Sequence, residues 1–229
     1  MSLTSNDGGS KNPAKKFFSW KGGIGVWEYY DKDKQEKVQI SDTMYIVPLD
    51  ELSTIKGWHD GSQSGIYSNE VKNLNEEELS VKSFKGGELT KGLYSSIKGN
   101  LQGGKFCKSV YAAILDSKGN VIEMVNFSFS GSSLGSWIEA EIKIKEGKIL
   151  TISKNPEQQK KGATTYYVPK IVKSDKRDAI MAECEGLDRE LQEYLGGHKN
   201  EQPKAASKPN ESFDKQAAAP VSEESALPF

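Results

Sequence analysis

Arginine is nearly missing from this chain of 229 residues: among its 31 Lys and Arg, only Arg177 and Arg189 carry a guanidinium. Bidentate forks onto base edges are therefore denied to residues 1–174, and a nucleic acid bound there would be held with little regard to its sequence. Histidine is equally scarce, with His59 and His198 alone. No H-E-x-x-H, no paired C-x-x-C and no phosphate loop ending in Gly-Lys-Ser/Thr occurs. Gly22-Gly23-Ile24-Gly25 lacks the third spaced glycine of a dinucleotide loop and reads as a hairpin turn. His59 and Asp60 are adjacent, with no nucleophile indicated beside them. These shortages point away from an enzyme and from a bound cofactor or metal. Cys107 and Cys184 have no Cys or His at metal spacing and sit in apolar patterns, so both are expected reduced and buried. No stretch approaches the ~20 apolar residues of a membrane span, and no apolar run follows the first basic residues, so a cytoplasmic protein is expected.

What is present is an uneven charge. The net charge of −1 conceals 24 Lys against 20 Asp and Glu over residues 1–174, net +4, and 7 Lys and Arg against 12 Asp and Glu over 175–229, net −5. A basic body suits a polyanion, and an acidic tail competes weakly for the same groove.

Residues 1–15 are Ser, Asn, Gly, Asp and Lys with one Pro, a composition that reads as a flexible arm. Residues 16–173 are rich in aromatic and β-branched residues with Gly or polar turns every ten to fifteen positions, the pattern of an antiparallel β domain. Strands are expected at Phe17–Tyr30, Val38–Val47, Ile66–Val71, Leu79–Phe84, Lys108–Leu115, Val121–Phe129 and Thr165–Val172. Lys108–Leu115 is apolar on both faces and reads as central. From Trp137 to Lys145, isoleucines and Ala140 alternate with Glu and Lys, which predicts a strand hairpinned through Glu146-Gly147 onto Lys148–Ile152. Leu89, Leu93 and Ile97 recur every fourth residue and predict a short helix over Glu88–Ile97. Residues 174–195 form the long helix, capped by Ser174 and stopped by Gly196-Gly197. Its stripe Ile180, Cys184, Leu187, Leu191 and Tyr194 packs on the body or on a second copy of the chain. Residues 196–229 read as a disordered linker ending in an acidic tip.

Aromatic and lysine residues lie side by side through the body: Trp58, Tyr67, Lys82, Phe84, Lys85, Lys91, Tyr94, Lys105 and Lys108. Single-stranded nucleic acid needs both roles, because unstacked bases lie on aromatic faces while lysines neutralise the backbone, and neither contact reads sequence. Trp58 is the leading candidate, placed in the polar, glycine-flanked run Lys56-Gly57-Trp58-His59-Asp60-Gly61, where no apolar neighbour buries it. Lys82, Phe84 and Lys85 end a strand and enter Gly86-Gly87, giving a positively charged edge that a phosphate backbone can approach closely.

The last nine residues, Val221-Ser-Glu-Glu-Ser-Ala-Leu-Pro-Phe229, place Glu223 and Glu224 ahead of the apolar Leu227, Pro228 and Phe229. A ring beside a carboxylate suits an apolar pocket rimmed by Lys or Arg on a partner. This tip resembles that of bacterial and bacteriophage single-stranded DNA-binding proteins, departing from it in Ser225-Ala226 where further acids are common. Gly57-Trp58-His59-Asp60, Ser64–Val71, Gly92-Leu-Tyr-Ser95 and Lys161–Pro169 resemble segments of small single-stranded DNA-binding proteins of phages and mobile elements. The resemblance covers residues 15 to 195 and implies an OB-like antiparallel barrel with long insertions, so that the expected fold is mainly β with a C-terminal helix. It also implies binding of single-stranded DNA in replication or recombination, in a bacterial or phage-infected cell, and recruitment of replication or repair proteins through the tip. A homo-oligomer is compatible with it. The alternative from the residues themselves is a protein- or carbohydrate-binding β module with an unrelated disordered tail. Lysines around the aromatics favour nucleic acid, and aromatics without them favour sugar.

Overall fold

The structure is a computed structural model and describes residues 11–174 and 178–198. Most of the arm, the linker after the helix and the tip (1–10 and 199–229) lie outside the described residues. The chain is mainly β with a C-terminal helix. Its strands are β1 (Lys16–Lys21), β2 (Val26–Asp31), β3 (Glu36–Ile40), β4 (Met44–His59), β5 (Ser64–Ser68), β6 (Leu79–Ser83) and β7 (Gly87–Gly92). After the short helix α1 (Tyr94–Ile97) come β8 (Gly104–Leu115), β9 (Val121–Ser130) and helix α2 (Ser132–Glu139). The order ends with β10 (Leu150–Lys154), β11 (Gln159–Lys161), β12 (Thr164–Tyr166), β13 (Pro169–Lys173) and helix α3 (Asp178–His198).

Eleven strands join in one sheet in the order β3-β2-β1-β9-β8-β4-β5-β6-β7, with β10 and β13 branching from β4, and the sheet does not close into a barrel. The fork lies on β4. Its first residues pair with β10 and its last with β5, while β8 follows the opposite edge from Tyr45↔Leu115 to Gly57↔Gly104. Pro48 stands at the fork, beside the bulge at Pro48/Asp50. A residue without an N–H is tolerated there because no strand claims that edge.

One face of the sheet carries two cores. Phe18, Trp27, Ile46, Val110, Phe127, Phe129, Leu150 and Ile152 surround Trp137 of α2, whose ring lies 4.6 Å from that of Phe129. Ile55, Ile66, Val71, Leu79, Val81 and Ile97 form the second core under β5 and β6. On the opposite face α3 lays Ile180, Cys184 and Leu191 over Val47, Leu52, Tyr111, Ala113 and Leu115. Gln192 Nε2 donates to Asp50 Oδ2 at 2.9 Å, and Lys72 Nζ reaches the same carboxylate at 2.8 Å, fixing the helix to the fork. Within the expected arm, Ala14 is buried beside Leu191 and Asn12 Nδ2 donates to the Tyr111 hydroxyl at 3.1 Å, so residues 12 to 14 belong to the body.

Several expected elements differ. Trp137–Lys145 is not a strand: α2 runs to Glu139 and a single 3-10 turn covers Ile144–Glu146. Both edges of the Leu150–Lys154 strand are already taken by β4 and β13, and Ser133 and Trp137, four apart, bury one helical face instead. The helix over Glu88–Ile97 is reduced to Tyr94–Ile97, because β7 pairs with β6 up to Leu79↔Gly92 and Gly92 takes φ +150°. Leu89 and Ile97 still meet in the second core, from a strand and a helix. Phe17–Tyr30 is two strands joined through the glycine turn, and Val38–Val47 breaks between Ile40 and Met44. Ser174 Oγ donates to Ile149 O at 2.9 Å, the expected first turn of the helix at 175–177 lies outside the described residues, and Gly196-Gly197 fall inside the helix.

Leu191 is fully buried between α3 and the sheet. Leu191→Ala is expected to cost about 2–5 kcal/mol, measured by urea denaturation followed by circular dichroism; a loss below about 0.5 kcal/mol would mean that α3 does not seal this face.

Candidate nucleic-acid interface

Strand alternation and register place the candidate residues. Lys56 and Trp58 of β4 point to the face that carries α3, since Ile55 points to the opposite core. Lys105 of β8 is directly opposite Lys56, and Gly65 of β5 is directly opposite Trp58. Tyr67 stands one position from the Gly57↔Ile66 pair, beside Lys56, and is directly opposite Lys82 of β6. One rung therefore reads Lys105, Lys56, Tyr67, Lys82 across four strands. The next rung toward the β4–β5 turn holds Trp58, Gly65 and Phe84, whose backbone N–H donates to Gly65 O at 3.1 Å. Tyr67 and Phe84 stack with centroids 4.4 Å apart at 24°. A basic rung thus lies against an aromatic one, on the part of this face beyond α3.

Close backbone approach sets the geometry. A β-carbon on Gly103, which has φ +98°, would stand 2.2 Å from Trp58 O, and one on Gly57 would stand 2.3 Å from Gly103 O. Only glycine lets the loop before β8 lie against the end of β4. Trp58 is in a strand, not in the polar loop expected from its neighbours. Its indole is half-buried, with Nε1 out of solvent and without a hydrogen-bond partner among the described residues, and Gly65 opposite it is buried. The nitrogen edge is pressed to the sheet.

The lysines of the rung are not ion-paired among the described residues. Among the described residues, the ion pairs engage Lys16, Lys21, Lys37, Lys72, Lys91, Lys108, Lys143 and Lys148, and none includes Lys56, Lys82, Lys85 or Lys105. Lys56 Nζ donates to Ser128 Oγ at 2.6 Å. Like charges directly across a ladder repel, so the Lys56–Lys105 pair is a standing cost unless an anion lies over it. Glu88, opposite Lys82, accepts from Ser80 Oγ at 3.4 Å. Below the rung, Glu70 is tied down by Ser109 Oγ and by the Tyr111 hydroxyl at 2.8 Å, and Asn126 Nδ2 donates to Ser109 Oγ at 2.8 Å. Burial, reinforced by Glu70, pushes the Tyr111 phenol far above its ordinary range, so it stays a donor.

Two expected contact residues, Lys108 and Tyr94, belong to the two-core face, and a third, Lys91, is opposite Ser80 on the rung next to Lys82 and held in an ion pair. Lys108 points to the two-core face, where its Nζ meets Glu51 Oε1 at 2.7 Å and Ser53 Oγ at 3.3 Å. Tyr94 packs on Phe106 at 5.2 Å against the second core, and burial raises its phenol pKa. Lys91, on the edge strand β7, reaches Glu78 at 3.6 Å. Lys85 is exposed in the turn after β6, with its backbone N–H donating to Ser64 Oγ at 3.1 Å. Glu223, Glu224, Leu227, Pro228 and Phe229 lie outside the described residues. Lys56 is the residue that the sequence reading left out. Its signal was the alternation Lys56, Trp58, which puts both on one face once the segment is read as a strand.

Other chemistry-bearing groups are committed to structure. Gly131-Ser132-Ser133-Leu134-Gly135 has the G-x-S-x-G spacing of a nucleophile turn between a strand and a helix. Ser133 is buried, its Oγ donating to Ser130 O at 2.9 Å and accepting from Ser130 N at 3.1 Å. His59 Nδ1 lies 2.8 Å from Ser62 Oγ and accepts the Ser62 N–H at 3.2 Å, closing the β4–β5 turn. A cleft of about 460 Å³ between α2 and β13, lined by Ser132, Ser136, Asn155, Gln159 and Lys170, lies away from the lysine rung. Comparison with known protein families, curated proteins and solved structures gives no match to this chain.

Cys107 lies under Lys56 and Ser128; burial raises its thiol pKa more than Lys56 lowers it, and burial likewise raises that of Cys184. Both thiols are therefore expected to stay protonated and resist Ellman's reagent at pH 8 in the folded protein, then react together in urea. Rapid reaction of Cys107 in native buffer would show that the sheet opens beneath the lysine rung.

Proposed function

We propose that this chain binds single-stranded nucleic acid, without strong sequence preference, on the sheet face beyond α3. One observation carries the reading: Lys56, Lys82 and Lys105, which have no carboxylate partner among the described residues, share a face with Trp58 and the Tyr67–Phe84 stack, and Lys85 is exposed in the turn next to Phe84. Aromatic platforms take bases while lysines take phosphates, and neither discriminates between bases. A sugar-binding module has no use for lysines that repel one another, so their presence favours nucleic acid over that alternative. Glu70 offsets part of the positive potential, yet its oxygens already accept from Ser109 and Tyr111.

The resemblance noted in the sequence makes the strand DNA, exposed during replication or recombination of a phage or mobile element. In this reading the half of the sheet around Trp137 is an open relative of an OB barrel, with the segment before β13 meeting the β1–β2 turn where Tyr167 N donates to Gly22 O at 2.8 Å. Recruitment of replication proteins falls to Glu223, Glu224 and Leu227 to Phe229.

Fluorescence titration with oligo-dT at two salt concentrations tests the reading. Affinity is expected to fall as salt rises, with a slope of about −0.7 in log K against log salt for each phosphate engaged. Trp58→Ala is expected to weaken binding by about 1–3 kcal/mol while leaving the melting temperature within a few degrees. Duplex DNA binding as tightly as oligo-dT, or no binding at low salt, would overturn the proposal.

A further inference from the structure

Resting on that reading, we infer that the bound strand crosses β8, β4, β5 and β6 rather than running along them, with its phosphates on Lys105, Lys56 and Lys82 and its track closed at β7 by Glu88. The register puts these three lysines on one rung, at neighbouring and next-but-one strands. Three inter-strand gaps of about 4.8 Å separate Lys105 from Lys82 by about 14 Å, a line perpendicular to the strands. Along the strands no such line exists on this face: β4 offers Lys56 and then Trp58, β5 offers Gly65 and Tyr67, and β6 offers Lys82 with Phe84 beyond it. The aromatics all lie on the rung itself or on its Trp58 side. Bases of a crossing strand therefore turn toward the β4–β5 turn, over Trp58 and the Tyr67–Phe84 stack. On the other side of the rung Cys107 and Ser109 are fully buried, and α3 closes the face further on.

Glu88 ends the line. It is directly opposite Lys82 on the last strand of this path, exposed, and held among the described residues only by Ser80 Oγ at 3.4 Å. A phosphate leaving Lys82 straight ahead meets that carboxylate, whereas Lys85 in the β6–β7 turn offers a positive exit on the aromatic side. The core footprint is thus short, about three phosphates, one per lysine on the rung.

The test is the salt dependence of oligo-dT affinity for the full chain and its variants. Lys56→Gln, Lys82→Ala and Lys105→Ala are each expected to reduce the magnitude of the slope by about 0.7. Lys91→Ala and Lys108→Ala, whose lysines are ion-paired off the rung, are expected to leave it unchanged. Glu88→Lys is expected to raise it by about 0.7 and to tighten binding, by extending the track onto β7. Thermal melts of each variant confirm that the compared proteins are folded. Wild-type protein that fails to bind oligo-dT would overturn the functional reading itself. Wild-type binding with slopes unmoved by the rung lysines, or moved equally by Lys91→Ala, or weaker binding by Glu88→Lys, would overturn the crossing track and leave the functional reading standing.

Discussion

The pairing of β4 with β8 is the constraint on which the rest of the molecule depends. The ladder runs from Tyr45↔Leu115 to Gly57↔Gly104, so one pair of strands spans both cores, the seat of α3 and the lysine rung. A period-2 chain assigns each residue to a face once the register is set, and a one-residue slip would exchange the faces. The bulge at Pro48/Asp50 makes the register of the second half its own. That second half puts Ile55 into a core and Lys56 and Trp58 outside it. The glycines at 57 and 103 hold the far end of the ladder, where a side chain would collide with backbone.

Glu51 joins the two cores on their shared face. Its Oε1 meets Lys108 at 2.7 Å and its Oε2 accepts from the Trp137 indole at 2.6 Å, so a single carboxylate satisfies a lysine of one strand and the central ring of the larger core. Removing any one of these partners would leave a partly buried polar group without its match, which costs more than the pair contributes. The contrast with the other face is chemical. Lys108 is neutralised where the fold needs it neutral, while Lys56 and Lys105 face each other with no carboxylate between them. Under the proposed function, the rule obeyed three positions along the ladder on the other face is broken where a bound ligand would relieve the cost.

The strands that were legible in the sequence were those with an unbroken pattern. Val110 to Leu115 reads as central because both faces are apolar, and it lies between β9 and β4. The α3 stripe was legible because Ile180, Cys184, Leu187 and Leu191 hold one helical face over three turns. Where pattern misled, a tertiary partner decided. Ile138 to Ile144 alternates like a strand, but a strand also needs a free edge, and Leu150–Lys154 had none to give. Leu89, Leu93 and Ile97 keep helical spacing, but a backbone at φ +150° at Gly92 ends the strand and restarts the chain as a single helical turn. Of the residues picked for nucleic-acid contact, composition alone could not separate Lys105 from Lys108. They are three apart in one strand and so lie on opposite faces, and only the register with β4 says which face is free.

Lysine scarcity of partners, rather than lysine number, is what gives the open face its character. The described body has more cations than anions, yet most of the paired ones lie at edges or beside the cores, where Glu28 alone accepts both Lys21 and Lys37. An arginine at position 56 or 105 would present a rigid planar fork and fix one geometry. Lysine presents a point charge on a flexible stem, which follows a phosphate backbone through small shifts of register. Under the proposed function, an array of lysines beside rings that take any base would favour a ligand that slides and re-registers. The absence of arginine from residues 1–174 fits the proposed function, in which the same surface leaves its lysines without ion-pair partners among the described residues.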